Sequence, residues 1–122
     1  MLLDTHVLLW WLADDERLGH RAREAIAEAE LVVVSAVSAW EIGIKQALGK
    51  LTGPEDLARE MSDNAFTALS VSVRHVLAAA RLPAHHQDPF DRMLVAQANA
   101  EDLVLVTQDD HIRTYDVTIL TA

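Results

Sequence analysis

Two short runs constrain this chain more than anything else in it: LVVV at residues 31–34 and LVLVT at 103–107. Both are rich in β-branched residues and lack the polar–apolar alternation of a strand with one wet face. Strands of this kind are covered on both sides, the usual condition of a parallel sheet between helical layers. The remaining segments supply those layers. Residues 2–5, LLDT, read as a first strand with Asp4 at its C-terminal end, followed by an apolar helix at 6–12 carrying Trp10 and Trp11. Asp14, Asp15 and Glu16 break it, and a helix at 20–30 follows with Ala22, Ile26 and Ala29 on one face. Ser38 and Glu41 have the spacing of a capping box and open a helix ending at Gly49. On that helix Val37, Trp40, Ile44 and Leu48 form an apolar stripe, with Ser38, Glu41 and Lys45 as the polar one. A more polar helix is expected at 54–64, a strand at 68–71, and a helix at 73–81 capped by Ser72 and closed by Pro83. A short helix at 111–115 and an edge strand at 117–120 complete the chain. The pattern predicts one α/β domain over residues 1–122, an open and mostly parallel sheet with helices on both faces.

The stretch HHQDPFDRMLVAQA, residues 85–98, marks a helix start with unusual clarity. Proline is favoured at the first helical position, where its missing N–H costs nothing. Asp88, just before Pro89, is therefore the expected N-cap. Asp91 falls in the first turn, ahead of a run that reads as buried helix. A carboxylate there is either a cap or a ligand, so the other acids have to be considered with it.

The formal net charge is −9, from 19 acidic and 10 basic residues. That argues against a passive nucleic-acid binder working by counterion release, though not against an enzyme that acts through divalent cations; solvated helix faces account for part of the excess. No apolar run approaches the roughly 20 residues of a membrane helix. The opening MLLDTHVLLWWL has no basic leader or cleavage site, and cysteine is absent. Together these fit a protein of the reducing cytoplasm without disulfides or a thiolate zinc site.

In open parallel sheets ligands bind beyond the carboxyl ends of the strands. Asp4 and Asp109 each follow a strand, while Glu41 and Asp91 lie near the starts of helices that begin at the same edge. The four acids can converge there. Close carboxylates repel by about 3 kcal/mol per pair at ~6 Å and an effective dielectric of ~20. Hard divalent cations such as Mg²⁺ remove that penalty and suit phosphodiester hydrolysis.

The segments LLDTHVLLWWL, VSAVSAWEIGIKQALGKL, HHQDPFDRMLVAQA and LVLVTQDDHIRTY occur in the order, and over nearly the whole length, in which the chain resembles PIN-domain ribonucleases, specifically VapC-type toxins of toxin–antitoxin pairs. The resemblance implies a three-layer PIN-like fold and a catalytic, metal-binding set of Asp4, Glu41, Asp91 and Asp109. It further implies Mg²⁺ or Mn²⁺ as cofactor and endonuclease action on RNA. A homodimer and inhibition by a cognate antitoxin laid over the site also follow from it. Asp91 matches the family's aspartate before an alanine-bearing helix, and Thr107-Gln108-Asp109 matches its T-x-D form, leaving Asp88 to the cap and Asp110 as a neighbour or helix cap.

Each residue also has a plainer reading. Asp4 can be a turn residue, and Glu41 can close the box with Ser38 or pair with Lys45. Thr5, Ser38 and Thr107 either orient carboxylates or cap helices. Arg92 can reach a substrate phosphate or pair with a carboxylate. His6, His85 and His86 can ligate a softer metal or contact RNA, but they lack the spacing of a zinc motif or a cysteine partner, and His85 and His86 read as loop residues. Trp10, Trp11 and Trp40 read as core, except that adjacent tryptophans on one helix cannot face the same way, which leaves one for a partner groove. Two rival functions stay open on the residues alone. One is a receiver-like signalling domain, which would need an acidic pair after the first strand and a late lysine that this chain lacks; the other is a catalytically silent PIN-like binding module. No residue pattern specifies which RNA would be cut.

Overall fold

Five strands, all paired in parallel, form the central sheet: β1 (Leu2–Leu3), β2 (Val33–Ser35), β3 (Thr67–Leu69), β4 (Leu105–Thr107) and β5 (Ile119–Thr121). The structure, a computed structural model, describes all 122 residues. The helices are α1 (Thr5–Leu12), α2 (His20–Glu28), α3 (Ala36–Ala47), α4 (Leu57–Asp63), α5 (Val73–Ala80) and α6 (Pro89–Ala100), with a 3₁₀ turn at Ile112–Thr114. Side chains alternate across a strand, and here the alternation splits the core in two. Leu3, Val34 and Val106 point into one cluster with Val7, Ala22 and Ile26. Leu2, Val33 and Leu105 point into the other with Leu94, Val95 and Ile112. Both clusters are covered by helices, which is the arrangement expected from wholly apolar strands.

The strand order is β3-β2-β1-β4-β5. The chain moves outward from β1 in one direction and then crosses back to β4 on its other side. The switch point therefore lies between β1 and β4, where such sheets bind ligands. A receiver domain has the order 2-1-3-4-5, so the topology sets that rival aside.

The structure shifts several expected elements. β2 begins at Val33 instead of Leu31, whose side chain is exposed and whose carbonyl accepts from the N-terminal amino group at 2.9 Å. α3 is capped by Ser35, which accepts from the Val37 N–H at 3.0 Å, so Ser38 lies inside the helix and there is no Ser38–Glu41 capping box. Apart from Val37, the faces of α3 are also reversed. Val37, Ser38, Glu41 and Ile42 are buried, whereas Trp40 is 65% and Leu48 63% exposed. The cause is tertiary: Val37 packs into one core and Ile42 into the other, and that anchoring turns the apolar stripe outward. α4 starts only at Leu57, capped by Asp56, and the expected helix at 111–115 is one 3₁₀ turn. As expected, Ser72 caps α5, here with a full capping box to His75, and Gly49 takes a positive φ of 71° just past the end of α3.

Candidate active site

Asp4 stands where β1 ends and α1 begins. Its Oδ1 accepts from the Val7 N–H at 2.8 Å as the N-cap of α1, and its Oδ2 accepts from the Thr107 hydroxyl at the end of β4. Thr107 Oγ in turn accepts from the Asp109 N–H at 3.0 Å. One hydroxyl thus ties two acids from opposite ends of the chain into one corner of the sheet. Asp91 enters from α6, whose N-cap is Asp88, with Oδ1 accepting from the N–H groups of Phe90 and Asp91 at 2.9 and 3.2 Å. The division of labour inside DPFD is as the sequence suggests: Asp88 caps, and Asp91 is free to face the corner.

The electrostatics show that three acids share this corner. Asp4 is 4% exposed, and burial raises its pKa; the hydrogen bonds from Thr107 and Val7 and the nearby His6 pull it down, and Asp109 pushes it up further. Asp91 is raised to about 7, first by burial and then by the charge of Asp88, with smaller contributions from Asp109 and Asp4; a hydrogen bond with His86 opposes the rise. Burial is the leading cause for both, and the neighbouring carboxylates add to it. Glu41 is also buried, but its partner is Lys45, 3.2 Å away on the next turn of α3. Its helix is linked to the corner one turn earlier, where Thr5 Oγ donates to Ser38 Oγ at 2.9 Å. The structure therefore brings Asp4, Asp91 and Asp109 together, whereas Glu41 on α3 is engaged in an ion pair with Lys45.

Two expected roles are overturned. Arg92 meets neither phosphate position nor carboxylate: its guanidinium donates to the carbonyls of Ala79 (2.8 Å), Pro83 (2.9 Å), Leu82 (3.0 Å) and His86 (3.3 Å), and to the Tyr115 hydroxyl (3.2 Å). It holds the 82–86 loop against α6, because Arg92 lies one residue round the helix from Asp91 and points to the α5 side. Asp110 neither caps a helix nor reaches the corner. It is 94% exposed and lies 3.7 Å from Arg113, since Asp109 takes the turn itself by accepting from the His111 N–H at 2.8 Å.

Two histidines lie against the acids: His86, which the sequence reads as a loop residue, and His111, which it does not single out. His86 Nε2 lies 3.0 Å from Asp91 Oδ2, and His111 Nδ1 lies 3.2 Å from Asp109 Oδ1. They come from separate loops, so no spacing signal could have paired them.

The donor set of the corner consists of hard carboxylate oxygens, two of them on acids whose pKa values are raised, first by burial and further by neighbouring carboxylates. That composition fits Mg²⁺ or Mn²⁺, which take oxygen ligands. Thr107→Val is expected to lower stability by about 1–2 kcal/mol, because a buried carboxylate loses a donor and a backbone N–H loses an acceptor. A urea melt checks this; an unchanged midpoint would mean the hydroxyl carries no load.

Alongside this corner, and meeting it only through His6, runs a cleft of about 500 Å³ between α1, α3 and the 50–54 loop. Trp10 lines it, with Arg17 5.4 Å over its ring, and Lys45 and Lys50 stand at the sides. Trp11 faces elsewhere, donating its indole N–H to Asn64 at 3.0 Å and packing on Phe66.

The PIN-domain family model matches residues 1–117. Ribonuclease VapC22 of Mycobacterium tuberculosis is 32% identical over 122 residues, a match spanning 94% of this chain and 91% of that protein. Among solved structures, VapBC2 from Rickettsia felis bound to a promoter DNA fragment superposes with a TM-score of 0.73 at 13% identity, covering 99% of this chain and 97% of that one. The DNA-bound VapBC of Salmonella typhimurium gives 0.68 at 15%, covering 98% and 96%. At those identities the structural likeness speaks for the fold.

Proposed function

The chain belongs to the PIN-domain family, and from that premise we propose that it is a VapC-type toxin that hydrolyses RNA phosphodiester bonds internally with Mg²⁺ or Mn²⁺. The observation that carries the reading is the convergence of Asp4, Asp91 and Asp109 at the sheet's switch point, with burial and mutual repulsion keeping Asp91 near a pKa of 7. These three, with Glu41 from α3, are the residues assigned to metal binding and catalysis. A bound divalent ion would supply a nucleophilic water at neutral pH and positive charge for the developing phosphorane. The chain's own part is to hold the ligands rigid. Asp4 is fixed at both oxygens by Val7 and Thr107, Asp109 is fixed by Thr107, and Asp91 is set by a capped helix start. Preorganised groups of this kind need no rearrangement when the reaction begins.

A cognate antitoxin belongs to this reading. The Trp10 cleft offers apolar side chains at Leu9, Trp10 and Leu12 within a rim of mixed charge, where Arg17 and Lys45 are paired with Asp15 and Glu41 and Lys50 stands beside them, suited to an amphipathic segment. From there a bound segment reaches the acids past His6, and an Arg at its end would compensate their charge. The exposed Val73, Val76 and Leu77 on α5 support a homodimer. No helix is long and apolar enough to cross a membrane, and a cytoplasmic location is part of the proposal.

Purified protein incubated with total RNA in Mg²⁺ or Mn²⁺ should produce discrete internal cuts, and excess EDTA should stop them. Cleavage undiminished by chelator would remove the metal-dependent reading. Intact RNA in every divalent ion would favour the catalytically silent module.

A further inference from the structure

Beside the carboxylate corner lies a group of different chemistry. The rings of His86 and His111 stack almost parallel, 9° apart with centroids 4.6 Å from each other. Ligand atoms of His86, His111 and Asp109 all lie within 4.8 Å of one another. The stack brings together two residues 25 positions apart, one from the loop before α6 and one from the turn after β4. Each imidazole is also oriented by a carboxylate, His86 by Asp91 and His111 by Asp109.

We propose that His86, His111 and Asp109 form a second cation site that takes a borderline transition-metal ion, zinc above all, beside the oxygen-only corner. Neutral imidazole nitrogen is a good ligand for zinc and a poor one for Mg²⁺, which demands oxygen. Two nitrogens and one carboxylate oxygen are a familiar zinc donor set that leaves a coordination position open. Donor atoms on one tetrahedral zinc ion, each at about 2.0–2.1 Å, lie ~3.3 Å apart, so the set must close by up to ~1.5 Å and the His111 ring must turn out of the stack to aim its nitrogen at the ion. The 68% exposed side chain of His111 is free to swing by that amount. The alternative trio of His86, Asp88 and Asp91 is a poorer one for zinc, because it offers one imidazole nitrogen where the chosen trio offers two. The proposal touches the ribonuclease reading in sharing Asp109 and in the contact of His86 with Asp91, and binding tests it without any reference to cleavage.

The full chain, stripped of metal, is titrated with Zn²⁺ and separately with Mg²⁺ by calorimetry, and with Co²⁺ by visible absorption, which reports nitrogen ligation. Zn²⁺ should bind at least ~100-fold more tightly than Mg²⁺. His86→Ala and His111→Ala should each weaken Zn²⁺ binding by about 10–100-fold and diminish the Co²⁺ band, and the Zn²⁺ loss should exceed any change in Mg²⁺ affinity. His20→Ala, on exposed α2, should leave every value at wild type. Circular dichroism verifies folding; should His86→Ala unfold, His111→Ala decides, since its exposed ring contributes little packing. Histidine variants that bind Zn²⁺ like the wild type would overturn the proposal, as would a wild-type chain that binds Zn²⁺ no more tightly than Mg²⁺. A chain that cleaves no RNA yet shows the histidine-dependent Zn²⁺ signal would leave this inference standing and count against the nuclease reading alone.

Discussion

Asp91→Asn should abolish RNA cleavage while making the metal-free protein more stable. Removing a charged ligand from the corner is expected to cost about a thousandfold or more in rate, the equivalent of ~4 kcal/mol. The stability change has the opposite sign because the wild-type charge is held in an unfavourable place. Folded Asp91 keeps its proton to about pH 7, whereas in the unfolded chain it loses it near the ordinary value of 3.8. Between those values the folded state binds more protons than the unfolded state, so stability falls as pH rises. The penalty is absent below about pH 4 and complete above about pH 7. At ~1.36 kcal/mol per unit the shift sets a ceiling of ~4 kcal/mol, and screening at a partly exposed side chain leaves about 1–3 kcal/mol. Melts in EDTA at pH 8 should therefore rise by roughly 3–10 °C in the variant, with little difference at pH 4. Asp88→Asn is the control. Asparagine caps a helix about as well as aspartate, so activity should survive and the melt should barely move. The reverse pattern, with Asp88→Asn inactive and stabilised, would transfer the ligand role to the cap.

Arg92→Ala should be among the most damaging substitutions outside the two cores. The wild-type guanidinium meets four carbonyls and the Tyr115 hydroxyl, and Tyr115 itself donates to the His86 carbonyl at 3.1 Å. Truncation leaves those carbonyls without their charged donor and releases the loop that carries His86 and leads into the Asp88 cap. Hydrogen bonds to a charged group are worth about 1.5–3 kcal/mol each and are not additive, so a loss of roughly 3–4 kcal/mol is expected. Arg92→Lys should recover less than half of it, because an ammonium lacks the planar five-donor fork. Chemical denaturation measures the loss, and limited proteolysis should show new cutting at residues 82–87. If Arg92 instead contacted substrate, the alanine variant would keep its stability and lose RNA affinity.

How much of this was legible beforehand differs from element to element. The sequence by itself determined the layer architecture, because two wholly apolar β-branched runs can only be buried strands and the helices between them supply the cover. It also determined the Ser72 and Asp88 caps, whose hydrogen bonds span three residues or fewer and obey local rules. That Asp4, Asp91 and Asp109 meet was legible for the same reason: topology carries strand ends and helix starts to one edge. Tertiary structure decided the rest. Ser38 and Glu41 looked like a cap because their spacing fits one, but the anchoring of α3 between two cores moved the cap to Ser35 and buried the polar stripe. Arg92 looked like a phosphate ligand because it adjoins Asp91, yet consecutive helical residues point about 100° apart, and the loop it meets is on the other side. The pairing of Asp4 with Thr107, and the stacking of His86 on His111, join segments that no local pattern relates. Short-range hydrogen bonding and hydrophobic period are written in neighbouring residues; which distant side chains meet is settled only when the sheet order brings β1 beside β4.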